Sequence, residues 1–318
     1  KRVQNNTAVA QGREPRSYAS GKIILLGEHA VVYGRPALAA PIPLAVEARV
    51  VDSADTVLLV PRWGIEQRIP PLSENPQGVT GILALLLERL DLASRALTIE
   101  AFPNVPRAMG LGGSSALAVA VIRALSDHFK LDLSNEHINK LAFECERAAH
   151  GTPSGVDNTI ATYGSTLLFE NNGSPSFQEV RPARSVSIAI GISGKESLTA
   201  TTVAQVRQAW ERQPERYERI FDQIGDLTRA GTEALQDGAY QELGELMNLC
   251  QGYLNALQVS TPELEELIHI ARRCGAVGAK LTGGGGGGSV IALCPNGADD
   301  VVDAMQNSGF EALAFDLA

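Results

Sequence analysis

Residues 106–120 read PRAMGLGGSSALAVA: a proline and three glycines, two serines, then an apolar run. Leu117, Val119, Val121, Ile122, Leu125 and Phe129 continue that run, with no glycine or proline until well past Lys130. This pattern predicts a buried helix entered from a glycine loop. A helix start carries unpaired backbone N–H groups and the positive end of the helix dipole, and together these favour an anion such as phosphate. A tight turn capped by serine has the same signature. Residues elsewhere must decide between the two.

On the N-terminal side, Leu97, Ile99 and Ala101 alternate as a half-buried strand does, and residues 79–90 have the leucine and isoleucine density of a helix. Leu44, Val46, Ala48 and Val50 alternate again, with residues 56–60 as a pairing partner. The run KIILL at 22–26 predicts a buried strand ending at Gly27, followed by a turn over residues 28–34. On the C-terminal side, Ser134 is placed to cap a helix carrying Ile138, Leu141, Ala142, Cys145 and Ala149. GTPSGVDN at 151–158 reads as a turn-rich connection, residues 165–169 as a strand, and the polar stretch 171–182 as a domain boundary.

Beyond that boundary come a strand at 186–192, a helix at 199–213, and three helices near 216–236, 239–257 and 262–273. Strands at 277–281 and 290–293 flank six consecutive glycines, Gly283 to Gly288; a helix near 298–307 and a strand near 310–315 close the chain. The order predicts an α+β protein of two domains, 15–182 and 183–318, after a disordered lead at 1–14. The second half is compatible with a ferredoxin-like layer of helices on an antiparallel sheet.

With 318 residues, 44% of them hydrophobic and 20% charged, the chain can bury a sizeable core without staples. A net charge of −9 argues against a nucleic-acid groove, which needs clustered Lys and Arg. A small anionic substrate is compatible with it, because a local pocket can oppose the global sign. Cys145, Cys250, Cys274 and Cys294 form no CxxC pair and read as buried, reduced thiols. No apolar run approaches the roughly 18 residues of a membrane span. The first fifteen residues are polar, without a signal-type core, so a cytoplasmic enzyme is expected.

The six glycines lie between core-like stretches, AVGAKL before and VIAL after, where a flexible linker would be polar on both sides. Ordering each glycine costs roughly 0.5–1 kcal/mol relative to alanine, so side chains are excluded there for a reason: a ligand or another backbone comes close. Glu146 falls near the end of its helix, where the dipole disfavours a carboxylate. It either pairs with Arg147 at the surface or faces a cation. Asp157 is a turn former or a base for a hydroxyl nucleophile. Lys22 is a snorkelling strand-end residue or a charge aimed into a cleft. Neither glycine stretch ends in the Gly-Lys-Ser/Thr of a Walker A loop, and neither sits in the βαβ context of a dinucleotide fingerprint.

Taken together, KIILLGEHAVVYG at 22–34, PRAMGLGGSSA at 106–116 and KLTGGGGGG at 280–288 resemble, in order, the three motifs of the GHMP kinases, the superfamily of galactokinase, homoserine kinase, mevalonate kinase and phosphomevalonate kinase. GEHAVVYG, together with ERAAHGTPSGVDN at 146–158, is most similar to the mevalonate kinases. The resemblance implies a ribosomal-protein S5 domain 2-like N-terminal α/β domain, a ferredoxin-like C-terminal domain, and the active site between them. It implies transfer of the ATP γ-phosphoryl group to the primary hydroxyl of mevalonate, with magnesium. Asp157 and Lys22 match the catalytic pair, Ser114 and Glu146 the metal ligands, and Glu28, His29 and Thr199 the acceptor pocket. Pro106, Gly110, Leu111, Gly112, Gly113, Ser114 and Ser115, with Gly284 and Gly285, match the nucleotide-binding loops. The usual GLGSSAA is GLGGSSA here, so Ser115 competes with Ser114 for the metal. Phosphomevalonate kinase, a decarboxylase of the same superfamily and a non-catalytic metabolite-binding relative are the alternatives. A homodimer is common among such proteins.

Overall fold

Strand β1 (Ser17–Leu26) lies against the first part of a 16-residue strand, β2 (Ala37–Asp52), in the computed structural model, which describes residues 16–76, 78–150 and 153–318. The lead expected at 1–14, and residues 151 and 152 of the turn-rich connection, lie outside the described residues. On its other edge β2 carries two partners in succession: β5 (Leu97–Pro103) beside residues 46–52 and β6 (Leu167–Asn171) beside 37–39. Pro41 and Pro43 fall in the gap between those partners, where a missing N–H breaks no ladder on that edge. The alternation of Leu44 to Val50 therefore marks only the second half of a strand that begins at Ala37.

The hairpin of β3 (Val57–Val60) and β4 (Ile65–Arg68) extends the sheet beyond β5, and β7 (Pro175–Glu179) extends it beyond β6. Helix α1 (Gly78–Arg89) precedes β5, and α2 (Gly113–Phe129) follows it and packs across β1 and β2. Helix α3 (Asn135–His150) starts as expected, the His137 N–H bonding to Ser134 Oγ at 3.2 Å. The stretch read as a continuous turn-rich connection instead starts a helix, α4 (Val156–Tyr163), with Gly155 at φ 94° as its N-cap. Its polar, glycine-flanked start hides it, yet Val156, Ile160 and Ala161 are buried.

The second sheet contains β8 (Val186–Ile192), β9 (Gly278–Thr282), β10 (Ser289–Cys294) and β11 (Glu311–Leu317), all antiparallel, in the order β11-β8-β10-β9. That is a ferredoxin-like order, in line with the layer of helices on an antiparallel sheet that the sequence allows. Helices α5 (Thr199–Arg212), α6 (Pro214–Asp237), α7 (Tyr240–Ala256) and α8 (Pro262–Arg273) connect β8 to β9, and α9 (Asp299–Asn307) connects β10 to β11. The outer edge of β9 is sealed by side chains. Asn248 on α7 accepts from Ala279 N–H and donates to Val277 O, both at 3.1 Å, and Gln251 Oε1 accepts from Leu281 N–H at 3.0 Å. Covering an edge in this way prevents a foreign strand from adding to it.

Candidate active site

Helix α2 has no side-chain cap, because its N-cap is Gly112. Its first intrahelical bond runs from Ala116 N–H to Gly112 O at 3.0 Å, so the amides of Gly113, Ser114 and Ser115 precede the helical ladder. Dipole and donors thus point out of the helix at the glycine loop, an arrangement suited to phosphate. Gly112, at φ 72°, is required for a second reason: a Cβ there would lie 2.8 Å from Lys22 Cγ. The lysine stem runs through the space that a side chain would fill.

Lys22 on β1 is 4% exposed. Its Nζ donates to Gly110 O at 3.1 Å and stands 3.3 Å from Asp157 Oδ1. Asp157 is not in a turn but in the first turn of α4, where the helix dipole favours a carboxylate. Its side chain is one-third exposed, so a ligand can reach it. The two residues expected to do the chemistry therefore meet, one held by the phosphate loop and the other by a helix start.

The serines separate cleanly. Ser114 is exposed, whereas Ser115 is 1% exposed and its Oγ has no hydrogen-bond partner. A hydroxyl buried without a partner costs about 1–3 kcal/mol. Ser115→Ala is therefore expected to leave stability unchanged or raise it by about 1 kcal/mol, with no change in magnesium dependence, while Ser114→Ala raises the magnesium concentration needed for half-maximal rate. Thermal melts and magnesium titrations read both, and a magnesium shift in Ser115→Ala alone would reverse the assignment. Glu146 is 7% exposed on α3, which excludes the exposed-pair reading with Arg147. Pro106 opens the loop and Leu111 lies within it, Leu111 O accepting from Lys22 N–H at 2.9 Å.

His29 adopts φ 61° and ψ −48°, and Ala30 N–H bonds to Glu28 O at 2.7 Å. This is a γ-turn of positive φ, a strained conformation for a residue with a side chain. The turn carries the imidazole to the glycine run, where Nε2 donates to Gly284 O at 3.0 Å. Burial without a counter-charge holds the His29 pKa down at about 4. Folded His29 thus stays neutral where an unfolded histidine takes a proton, so stability is lost as pH falls from about 6.5 toward 4, by about 3 kcal/mol in all. Urea melts at pH 7, 6 and 5 are expected to show a shallower decline in His29→Gln than in the unaltered protein. Parallel declines would remove His29 as the titrating group.

Glu28, expected in the acceptor pocket, is sealed instead in a pair with Lys280, both side chains at zero exposure. Burial pushes its carboxyl above the ordinary value, with Lys280 pulling the other way. Thr199 is exposed at the start of α5, its Oγ1 2.9 Å from Ser197 Oγ. Gly284 O also accepts from Thr202 Oγ1 at 2.8 Å, and Gly285 O from Ser197 Oγ at 3.0 Å. The two glycine loops touch: a Cβ on Gly110 would be 3.1 Å from Thr282 O, and one on Gly283 would be 3.0 Å from Gly110 O. The sequence reading gave no role to Lys280, Thr282, Ser197 or Thr202. Lys280 had a usable signal, a charge in the otherwise apolar AVGAKL.

Among the described residues no cluster of three His, Cys, Asp or Glu side chains forms a metal site. The two residues that the motif resemblance offers as ligands, Ser114 and Glu146, carry hard oxygens of the kind magnesium takes when phosphates supply further ligands. Residues 78–165 match the model of the GHMP kinases N terminal domain and residues 232–311 that of the GHMP kinases C terminal domain. A mevalonate kinase of Methanothermobacter thermautotrophicus is 38% identical, over 91% of this chain and 93% of its own. One of Pyrococcus abyssi is 35% identical, over 92% of each. The crystal structure of L. major mevalonate kinase in complex with R-mevalonate superposes with a TM-score of 0.79 at 30% identity, covering 94% of this chain and 92% of that one. With this two-domain α+β architecture and identity of that extent to curated members, the chain belongs to the GHMP kinase family.

Proposed function

We propose that the protein is an ATP-dependent mevalonate kinase, which transfers the γ-phosphoryl group of ATP to the primary hydroxyl of mevalonate and yields 5-phosphomevalonate. The observation that carries this reading is the Lys22–Asp157 pair, 3.3 Å apart beside the open start of α2. Phosphoryl transfer rests on positioning and charge neutralisation, and this pair supplies both. Asp157 Oδ accepts the hydroxyl proton or orients it. An ammonium has three donors; Lys22 commits one to Gly110 O and one to Asp157, which leaves the third for the moving phosphoryl group.

The first-turn amides of α2, with the loop from Pro106 to Gly112, hold the triphosphate. Ser114 and Glu146 would hold magnesium, which when bound neutralises phosphate charge. His29 and Thr199 line the acceptor side of the glycine run, and Glu28 supports it from beneath. Residues 15–182 and 183–318 form the two domains. A homodimer in the cytoplasm completes the proposal; among the described residues no helix is long and apolar enough to cross a membrane. ADP release measured with mevalonate, phosphomevalonate, galactose and homoserine tests the reading. Turnover with mevalonate alone is expected. Turnover with another acceptor and none with mevalonate would overturn it.

A further inference from the structure

Strand β1 pairs with β2 on one side only, so its other edge has to find partners elsewhere. Groups on one edge of a strand recur every second residue, about 7 Å apart. At the first such position, Lys22 N–H bonds to Leu111 O of the phosphate loop at 2.9 Å. At the next, Ile24 N–H donates to Thr282 Oγ1 at 2.8 Å, and the same hydroxyl donates back to Ile24 O at 3.2 Å. One side chain therefore satisfies both main-chain groups of a residue 258 positions away. Thr282 is 1% exposed and ends β9, immediately before the glycine run. Its cross-strand partner Ser289, fully buried, begins β10 just after that run and donates from Oγ to Met109 O at 2.8 Å. The two stems of the glycine loop thus each reach one hydroxyl into the N-terminal half. One is fastened to the strand that bears Lys22 and the other to the phosphate loop.

We propose that Thr282 is a positioning residue for phosphoryl transfer: its hydroxyl sets the separation between the strand bearing Lys22 and the C-terminal glycine run. An apolar side chain of the same shape leaves Ile24 N–H and C=O buried and unpaired, and the seam relaxes by opening. Because Gly110 rests on Thr282 and Gly283, that opening shifts the phosphate loop against Lys22. A misplacement of about 1 Å lowers the rate of a positioned reaction by about 100-fold. The inference rests on the kinase reading, whose failure would appear as absent turnover in the unaltered protein.

The experiment compares Thr282→Val, Thr282→Ser and Thr282→Cys at a temperature well below each melting point, measuring kcat, both KM values and the Kd of a nonhydrolysable ATP analogue. Thr282→Val is expected to lose about 100-fold in kcat with much smaller changes in KM and Kd, and Thr282→Ser, which keeps the hydroxyl, to recover to within about threefold of the unaltered protein. A Val variant with kcat within about threefold of normal, or a Ser variant as slow as Val, overturns the proposal. Should Thr282→Val not fold, Ser against Cys decides. A thiol is a weak donor and acceptor, so a slow Cys variant beside a normal Ser variant supports the proposal, and equal rates overturn it.

Discussion

Asp157→Asn is expected to lower kcat by about 100- to 10,000-fold, the contribution of a positioned proton acceptor, while the affinity for a nonhydrolysable ATP analogue stays within about threefold. The asymmetry follows from geometry. Asparagine fills the same space at the start of α4 and still approaches Lys22, but it cannot take a proton from the acceptor hydroxyl. The triphosphate contacts proposed for the start of α2 are made by another element and are not altered. Steady-state kinetics with mevalonate and calorimetric titration of the analogue read the two halves of the expectation. Near-normal turnover would take Asp157 out of the chemistry and leave Lys22 to act by charge alone. Loss of analogue binding in step with turnover would instead make Asp157 part of the nucleotide site.

How much of this arrangement could be read from sequence depends on whether the signals were local. Helix α8 was fully legible because its start and stop are written nearby: Thr261 as N-cap, Pro262 in the first turn, acidic residues Glu263 and Glu265, and Arg272 and Arg273 in the last turn. The start of α2 was legible for the same reason. Strand β7 was not, since all five of its residues are exposed and show no apolar alternation. The first half of β2 was masked by Pro41 and Pro43, which only the gap between β5 and β6 makes tolerable. At the site, motif resemblance located Lys22 and Asp157, and their contact is what the fold adds. The seam through Thr282 and the pair of Glu28 with Lys280 join residues more than 250 positions apart, a relation that no local pattern encodes.

That buried pair carries the largest expected effect on stability. Lys280→Met removes the paired cation and leaves Glu28 at zero exposure with only the weaker influence of Lys22, and one of its oxygens, Oε2, already lacks a partner. Losing one member of a buried ion pair destabilises by about 3–5 kcal/mol, whereas replacing both by neutral groups is far less damaging. Urea unfolding at pH 7 is therefore expected to show that loss for Lys280→Met, with most of it recovered in the Glu28→Gln, Lys280→Met double variant. The pH dependence gives an independent signature. Without Lys280 to oppose burial, the folded-state pKa of Glu28 rises further above its unfolded value, so folded protein keeps a proton that unfolded chain has released. The deficit relative to the unaltered protein must then grow as pH rises past the already raised pKa that Glu28 has beside Lys280, and shrink again on acidification. Other groups, His29 included, are common to both proteins and cancel in the difference. A double variant no more stable than Lys280→Met, or a deficit that is the same at every pH at which the two proteins stay folded, would show that Lys280 acts through packing of its stem rather than through its charge on Glu28.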